Sequence, residues 1–293
     1  MSRKGTMRLA ALFQVEAERL ALAEGRSAAD VVKCPICLRE LGRDAIATRE
    51  LTIEHVIPRK VRGRLETVTC RRCNSTHGSN LDKHIVAAAR ARDALAGYRT
   101  LRATGRIDGA RFEAEVLLHP DPSVTNEIRV IGAATDPRQE EAARENLHAP
   151  GAELNLSWSL GYIPNRHWLA LLRAAYLGAF RHHGYPYVFA PSVTAIRRQI
   201  LGDDPPSPHL NRIVHLVETP PVRLRHGLLE VDVSPTTGHH VYFVLVQTRL
   251  KLTTTYAVVL PHAGPEELGD LDKLAWIADS LEGVTLTFPV KRG

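Results

Sequence analysis

Glu54, His55, Asn74 and His77 are the residues of this sequence whose types suit proton transfer beside a hard cation; two pairs of cysteines bracket the first two, and the second pair runs straight into Asn74. An imidazole titrates near neutral pH and can take a proton from water, a step worth about 10²–10⁴-fold in rate. A carboxylate and an amide oxygen suit an ion such as Mg²⁺, and an imidazole from His77 widens the choice to Mn²⁺, Ni²⁺ or Zn²⁺. Leu51-Thr52-Ile53 reads as strand and Pro58 ends it, which puts His55 at a strand end facing a cleft. Glu54 should face the other side unless the backbone bends. Asn74 and His77, three apart on a helical turn, share a face.

The cysteines form two C-x-x-C knuckles, Cys34/Cys37 and Cys70/Cys73, and the chain contains no others. Two such knuckles enclose a tetrahedral Zn²⁺, and four thiolates leave no open position, so this zinc is structural. It would contribute roughly 10–16 kcal/mol to the folding of a small module. A redox dithiol pair is the competing reading.

These groups need elements to hold them. Met7 to about Gly25 has the apolar spacing of a helix, and residues 33–84 are turn-rich. A helix is expected from Asn80, as N-cap, to about Ala96, with Gly97 as its stop. Phe112–Leu118 and Glu127–Ile131 read as strands. His167–His183 is apolar over much of its circumference and should be a buried helix, followed by a shorter one at Ser192–Leu201. Beyond Pro205-Pro206 strands dominate: Arg212–Val217, Leu228–Val233, His240–Thr248, Leu252–Leu260 and Val284–Val290, with a helix at Leu271–Leu281. The expected class is α+β. Its parts are an N-terminal helix in 1–32, a metal module with trailing helix in 33–97, and a mixed domain with antiparallel strands in 105–293.

The 293 residues are 44% hydrophobic and 24% charged, with no apolar run long enough to span a membrane. No signal-peptide pattern precedes the first helix, so a cytoplasmic location is expected, where paired cysteines favour metal over disulfides. The net charge of +6 is concentrated: residues 51–100 hold ten Lys/Arg against four Asp/Glu, which leaves the remainder close to neutral. A local excess of this kind points to a polyanionic partner.

The pattern C-x-x-C, then Glu54-His55-Val56-Ile57-Pro58, then C-x-x-C-Asn74 resembles the HNH nucleases with a zinc-ribbon decoration, over about residues 34–84. The resemblance implies a ββα-metal fold and metal-dependent hydrolysis of phosphodiester bonds, most directly in double-stranded DNA. It makes His55 the base, and Glu54 and Asn74 ligands of a catalytic Mg²⁺ or Mn²⁺. His77 falls where relatives carry a residue that contacts the metal or the phosphate. Arg59, Lys60, Arg62, Arg64, Arg71 and Arg72 would hold flanking phosphates, contacts that carry no base information. One departure stands out: relatives place a bracing Asn where this chain has Leu65, leaving Glu66 or a backbone carbonyl to brace the base. A zinc-stapled binding protein without cleavage, and an RNA-directed defence nuclease, are the alternatives.

Other candidates are weaker. His182-His183 ends an apolar helix, where imidazoles suit the C-terminal dipole. His239-His240 lies on a strand, where neighbours face opposite sides. Trp158, Trp168 and Trp276 read as core. No P-loop, GxSxG or dinucleotide fingerprint is present, and residues 105–293 show no constellation of catalytic type.

Overall fold

Leu9, Phe13, Ala17 and Leu20 recur at helical spacing, and α1 (Arg3–Glu24) buries all four on one face. A computed structural model describes residues 3–108, 110–121, 123–132, 137–146, 151, 153–217, 224, 227–232, 240–263 and 270–280. After α1 come two antiparallel hairpins. The first pairs β1 (Val31–Lys33) with β2 (Glu40–Gly42), and the second pairs β3 (Leu51–His55) with β4 (Glu66–Cys70). The chain then enters α2 (Arg71–His77), passes through a wider π-type turn at Gly78–Asp82, and continues as α3 (Lys83–Leu95). The helical path therefore starts at Arg71. Asn80 lies inside it and is not an N-cap, because Cys70 already takes that place by accepting from the Cys73 amide.

A four-stranded antiparallel sheet follows, in the order β7-β6-β5-β8, from β5 (Leu101–Ile107), β6 (Ala110–Leu117), β7 (Glu127–Gly132) and β8 (Leu154–Trp158). Burial alternates residue by residue along β5, the mark of a sheet covered on one face. Helix α4 (Pro137–Asn146) packs on it, and Phe112, Ala114 and Val130 centre its own apolar cluster.

Helix α5 (Pro164–His183) opens with Pro at its first position and stops at Gly184, whose φ of 73° favours glycine. Short helices α6 (Tyr185–Phe189), α7 (Thr194–Leu201) and α8 (Leu210–Ile213) follow. The second sheet has the order β10-β11-β12-β9, from β9 (Val214–Val217), β10 (Leu228–Asp232), β11 (Val241–Arg249) and β12 (Thr253–Pro261). Helix α9 is Leu271–Ser280. The expected strand Val284–Val290 falls outside the described residues. Arg212 is in α8 rather than in a strand, since the chain extends only from Val214.

Helix α5 is the axis of the assembly, packed against α3, α7, β11, β12 and the π-type turn. One continuous core joins Phe13, Cys34, Ile57 and Leu81 to Leu171, Phe180, Val244 and Ile277. The fold is α+β, with a small ββα module near the N-terminus tied through this core to helices and antiparallel strands more than 100 residues away.

Some polar groups are buried in that core. His167 is 2% exposed, among the rings of Tyr162, Trp168 and Tyr256. Burial lowers its pKa to about 4, with Arg92 and His84 adding to the effect. The unfolded chain, with a His pKa near 6.5, therefore binds a proton that the native state refuses between about pH 6.5 and 4. Stability conferred by the neutral ring is complete above this window and falls as pH is lowered through it, by about 3 kcal/mol in total. Thermal melts of His167→Phe should lose less stability between pH 6.5 and 4 than wild type; parallel profiles would contradict this.

Candidate active site

The first knuckle grows from the β1–β2 hairpin. The Cys34 amide donates to the Arg39 carbonyl at 2.9 Å and the Leu38 amide to the Cys34 carbonyl at 2.9 Å, turning the chain with Leu38 at φ 60°. The second knuckle spans the end of β4 and the first turn of α2, where the Cys73 amide donates to Cys70 Sγ at 3.4 Å. All four sulfurs lie within 4.8 Å of one another, and none is in a disulfide. Hydrogen bonds, first from Cys34, push the Cys37 and Cys70 thiols down, Cys70 to about 7. This donor set and spacing fit a closed tetrahedral zinc ribbon.

The β3–β4 hairpin carries the next groups in fixed register, His55 opposite Glu66 and Glu54 opposite Thr67. Leu65 is where a bracing side chain was missing, and two other contacts stand in its place. The Val56 amide donates to the Leu65 carbonyl at 3.0 Å, and His55 Nδ1 stands 3.4 Å from Glu66 Oε1. Glu66 is itself held by Arg8 Nε at 2.7 Å on Oε2, while Arg181 Nε donates to its carbonyl at 3.1 Å. In the intervening loop a Cβ on Gly63 would overlap the Ile57 carbonyl oxygen, so only glycine fits there. Burial lowers the His55 pKa, and Arg59 and Arg8 push it further down against the pull of Glu66. The ring is thus neutral at pH 7, the form that accepts a proton.

Asn74 projects from α2 onto β3. Its Nδ2 donates to Thr52 Oγ1 and to the Ile53 carbonyl, both at 2.9 Å, which leaves Oδ1 to accept elsewhere. His77 goes another way. It is 4% exposed, hydrogen-bonds the backbone of Ile200, and has its pKa lowered to about 4 by burial, then Arg173. It does not line the cleft formed by Glu54, His55 and Asn74.

That cleft is about 390 Å³ in volume. Glu54 and His55 both reach it although they are neighbours on a strand, because β3 ends at His55 and the backbone bends at Val56-Ile57. Glu54 is 2% exposed and pairs through Oε1 with Arg173 Nη2, from α5. Arg173 is fully buried, and its Nη1 donates to Asp82 Oδ1 at 2.9 Å. Burial pushes the Glu54 carboxyl up to about 7 despite the opposing pull of Arg173. Burial alone would lower the Arg173 pKa, but its two carboxylates outweigh that and raise it. Glu54 Oε2 is buried with no well-formed hydrogen bond. Glu54, Asn74 and Asp82 all line this cleft, and carboxylate and amide oxygens are the ligand types that a hard divalent cation takes.

Among the expected phosphate-binding residues, Arg59 and Lys60 line the cleft. Arg62, Arg64, Arg71 and Arg72 are exposed elsewhere on the module. Sequence reading missed Asp82, Lys83 and Arg90, which also line the cleft. Counting helical turns from Asn74 through Gly78 to Asp82 and onward finds them, once the helix is started at Arg71. For Arg173 the signal was a guanidinium in the middle of an apolar helix, far from the ends where Arg166 and Arg181 lie.

Compared with known families, residues 34–89 match the model of the HNH endonuclease family. No curated protein and no solved structure matches the chain. This segment contains both knuckles, the β3–β4 hairpin, α2 and the first half of α3, so the matched stretch and the site coincide. The class this defines for the segment is an HNH endonuclease domain.

Removing Arg173 would leave the buried Glu54 and the partly buried Asp82 without a compensating charge. The expected cost of Arg173→Met is about 3–5 kcal/mol, with Arg173→Lys losing less. Denaturant melts measure this, and a Met variant as stable as wild type would refute the role of the pair.

Proposed function

We propose that the protein is a metal-dependent endonuclease that hydrolyses phosphodiester bonds in DNA. The observation that carries this is one cleft lined by the imidazole of His55, the buried carboxyl of Glu54 and the amide of Asn74, inside the segment that matches HNH endonucleases. Glu54 and Asn74 would hold the ion, Mg²⁺ or Mn²⁺. When bound, it would supply positive charge for the developing charge of phosphodiester hydrolysis. His55 takes the proton of the attacking water through Nε2, while Glu66 on its Nδ1 side keeps the ring oriented. Arg59 and Lys60, with Lys83 and Arg90, hold phosphates on either side of the scissile bond. His77, turned into the core, supports α2 from behind.

Backbone contacts of this type give little sequence specificity, and binding should weaken steeply with salt. Among the described residues no helix is long and apolar enough to cross a membrane. We infer that the protein works in the cytoplasm with its cysteines holding Zn²⁺. One observation favours a second reading, a zinc-stapled DNA-binding protein without cleavage: Arg173 already neutralises Glu54.

Plasmid nicking in Mg²⁺ or Mn²⁺ decides between them. His55→Ala should lose at least about 10²-fold in rate, with DNA binding and zinc content intact. Wild type that binds plasmid without nicking it would establish the second reading, and equal nicking by both would remove His55 as the base.

A further inference from the structure

We propose that His182, His183 and Glu230 form another metal site, for a borderline divalent cation such as Zn²⁺, separate from the cysteine cluster and from the Glu54 cleft. One nitrogen of each imidazole and one carboxylate oxygen lie within 4.8 Å of one another. Tetrahedral zinc, with bonds of about 2.0–2.2 Å, places its ligand atoms about 3.3–3.6 Å apart. Reaching that spacing means that His182 closes on the pair while the His183–Glu230 contact opens from 2.6 Å.

Two of the three ligands are already fixed. His183 is stacked on Tyr242 with centroids 5.0 Å apart and lies beside Tyr187 at 5.8 Å. Its Nε2 is 2.6 Å from Glu230 Oε1, and Glu230 is anchored in β10 opposite Val244 of β11. His182 is exposed, with its ring centroid 4.7 Å from that of His183, and can rotate toward the pair. Successive helical residues usually diverge, but these two occupy the last turn of α5, just before Gly184 turns the chain.

The surroundings suit a cation with an open position. His182 and Glu230 line a cleft of about 320 Å³, so a fourth ligand can come from solvent or from a bound molecule. The C-terminal end of α5 favours positive charge. Arg181 and Arg19, which share the cleft, both reach the buried Glu16, at 2.8 and 3.7 Å, whose single carboxyl offsets one of the two charges. On binding, the ion would replace the hydrogen bond between His183 Nε2 and Glu230 Oε1. The plainer account, an ion pair that fastens β10 to α5, has no use for His182.

The test is calorimetric titration of Zn²⁺ into the full chain with its cysteine cluster already filled, comparing wild type, His182→Gln and Glu230→Gln. Any zinc taken by the Glu54 cleft is common to all three and cancels. The expected result is one further equivalent in wild type, weakened by more than about tenfold in each variant. Should Glu230→Gln fail to fold, His182→Gln decides alone, because His182 is exposed. Identical stoichiometry and affinity in wild type and His182→Gln would overturn the proposal.

Discussion

A guanidinium buried without water must be matched by charge, and Arg173 is matched by Glu54 on one side and Asp82 on the other. Taking these ions out of water costs several kcal/mol each, and their attraction offsets the cost only when the geometry is held. The holding is done by α5, whose apolar surface is enclosed by α3, the second sheet and the small helices. The position of Glu54 is therefore set by a helix that begins 110 residues further along the chain. Arg173 engages Oε1 of a carboxylate that also lines the cleft, so one group belongs to the core and to the cleft at once.

The cysteine knuckles do the corresponding work from the other direction. They join the β1–β2 hairpin to the junction of β4 and α2, and so fix where Asn74 emerges relative to β3. Asn74 then clamps Thr52 and the Ile53 carbonyl, one residue before Glu54. Glu66 performs the equivalent service for His55 from across the hairpin. The ββα module is small, and Glu54, His55 and Asn74 are each placed by a contact to a neighbouring element.

Much of this was legible in the sequence because the signals were local. Two C-x-x-C knuckles, a Glu-His pair before Val-Ile-Pro, and Cys73-Asn74 lie within about forty residues, and their types restrict the chemistry. The apolar helix at His167–His183 and the late strands were readable from periodicity, since tertiary packing agreed with local preference. Three features were not readable. The helical path from Arg71 was hidden by a π-type turn that breaks the 3.6-residue rhythm, and with it went Asp82, Lys83 and Arg90. His77 shares a face with Asn74 in a regular helix, yet packing against Ile200 takes it into the core. The Arg173 contact spans 119 positions to Glu54, and no local pattern encodes its partner. The sequence was divided between 33–97 and 105–293, and one core runs through residues on both sides of that division.

The central claim is that one carboxylate, Glu54, is shared between the buried Arg173 and a catalytic ion. Electron paramagnetic resonance of Mn²⁺ added to the zinc-loaded protein tests it most directly, by comparing wild type with Glu54→Gln. The account predicts a bound Mn²⁺ in wild type whose affinity falls by more than about tenfold in the variant, with melting and zinc content showing an intact fold. Equal Mn²⁺ binding by a folded Glu54→Gln protein would contradict it.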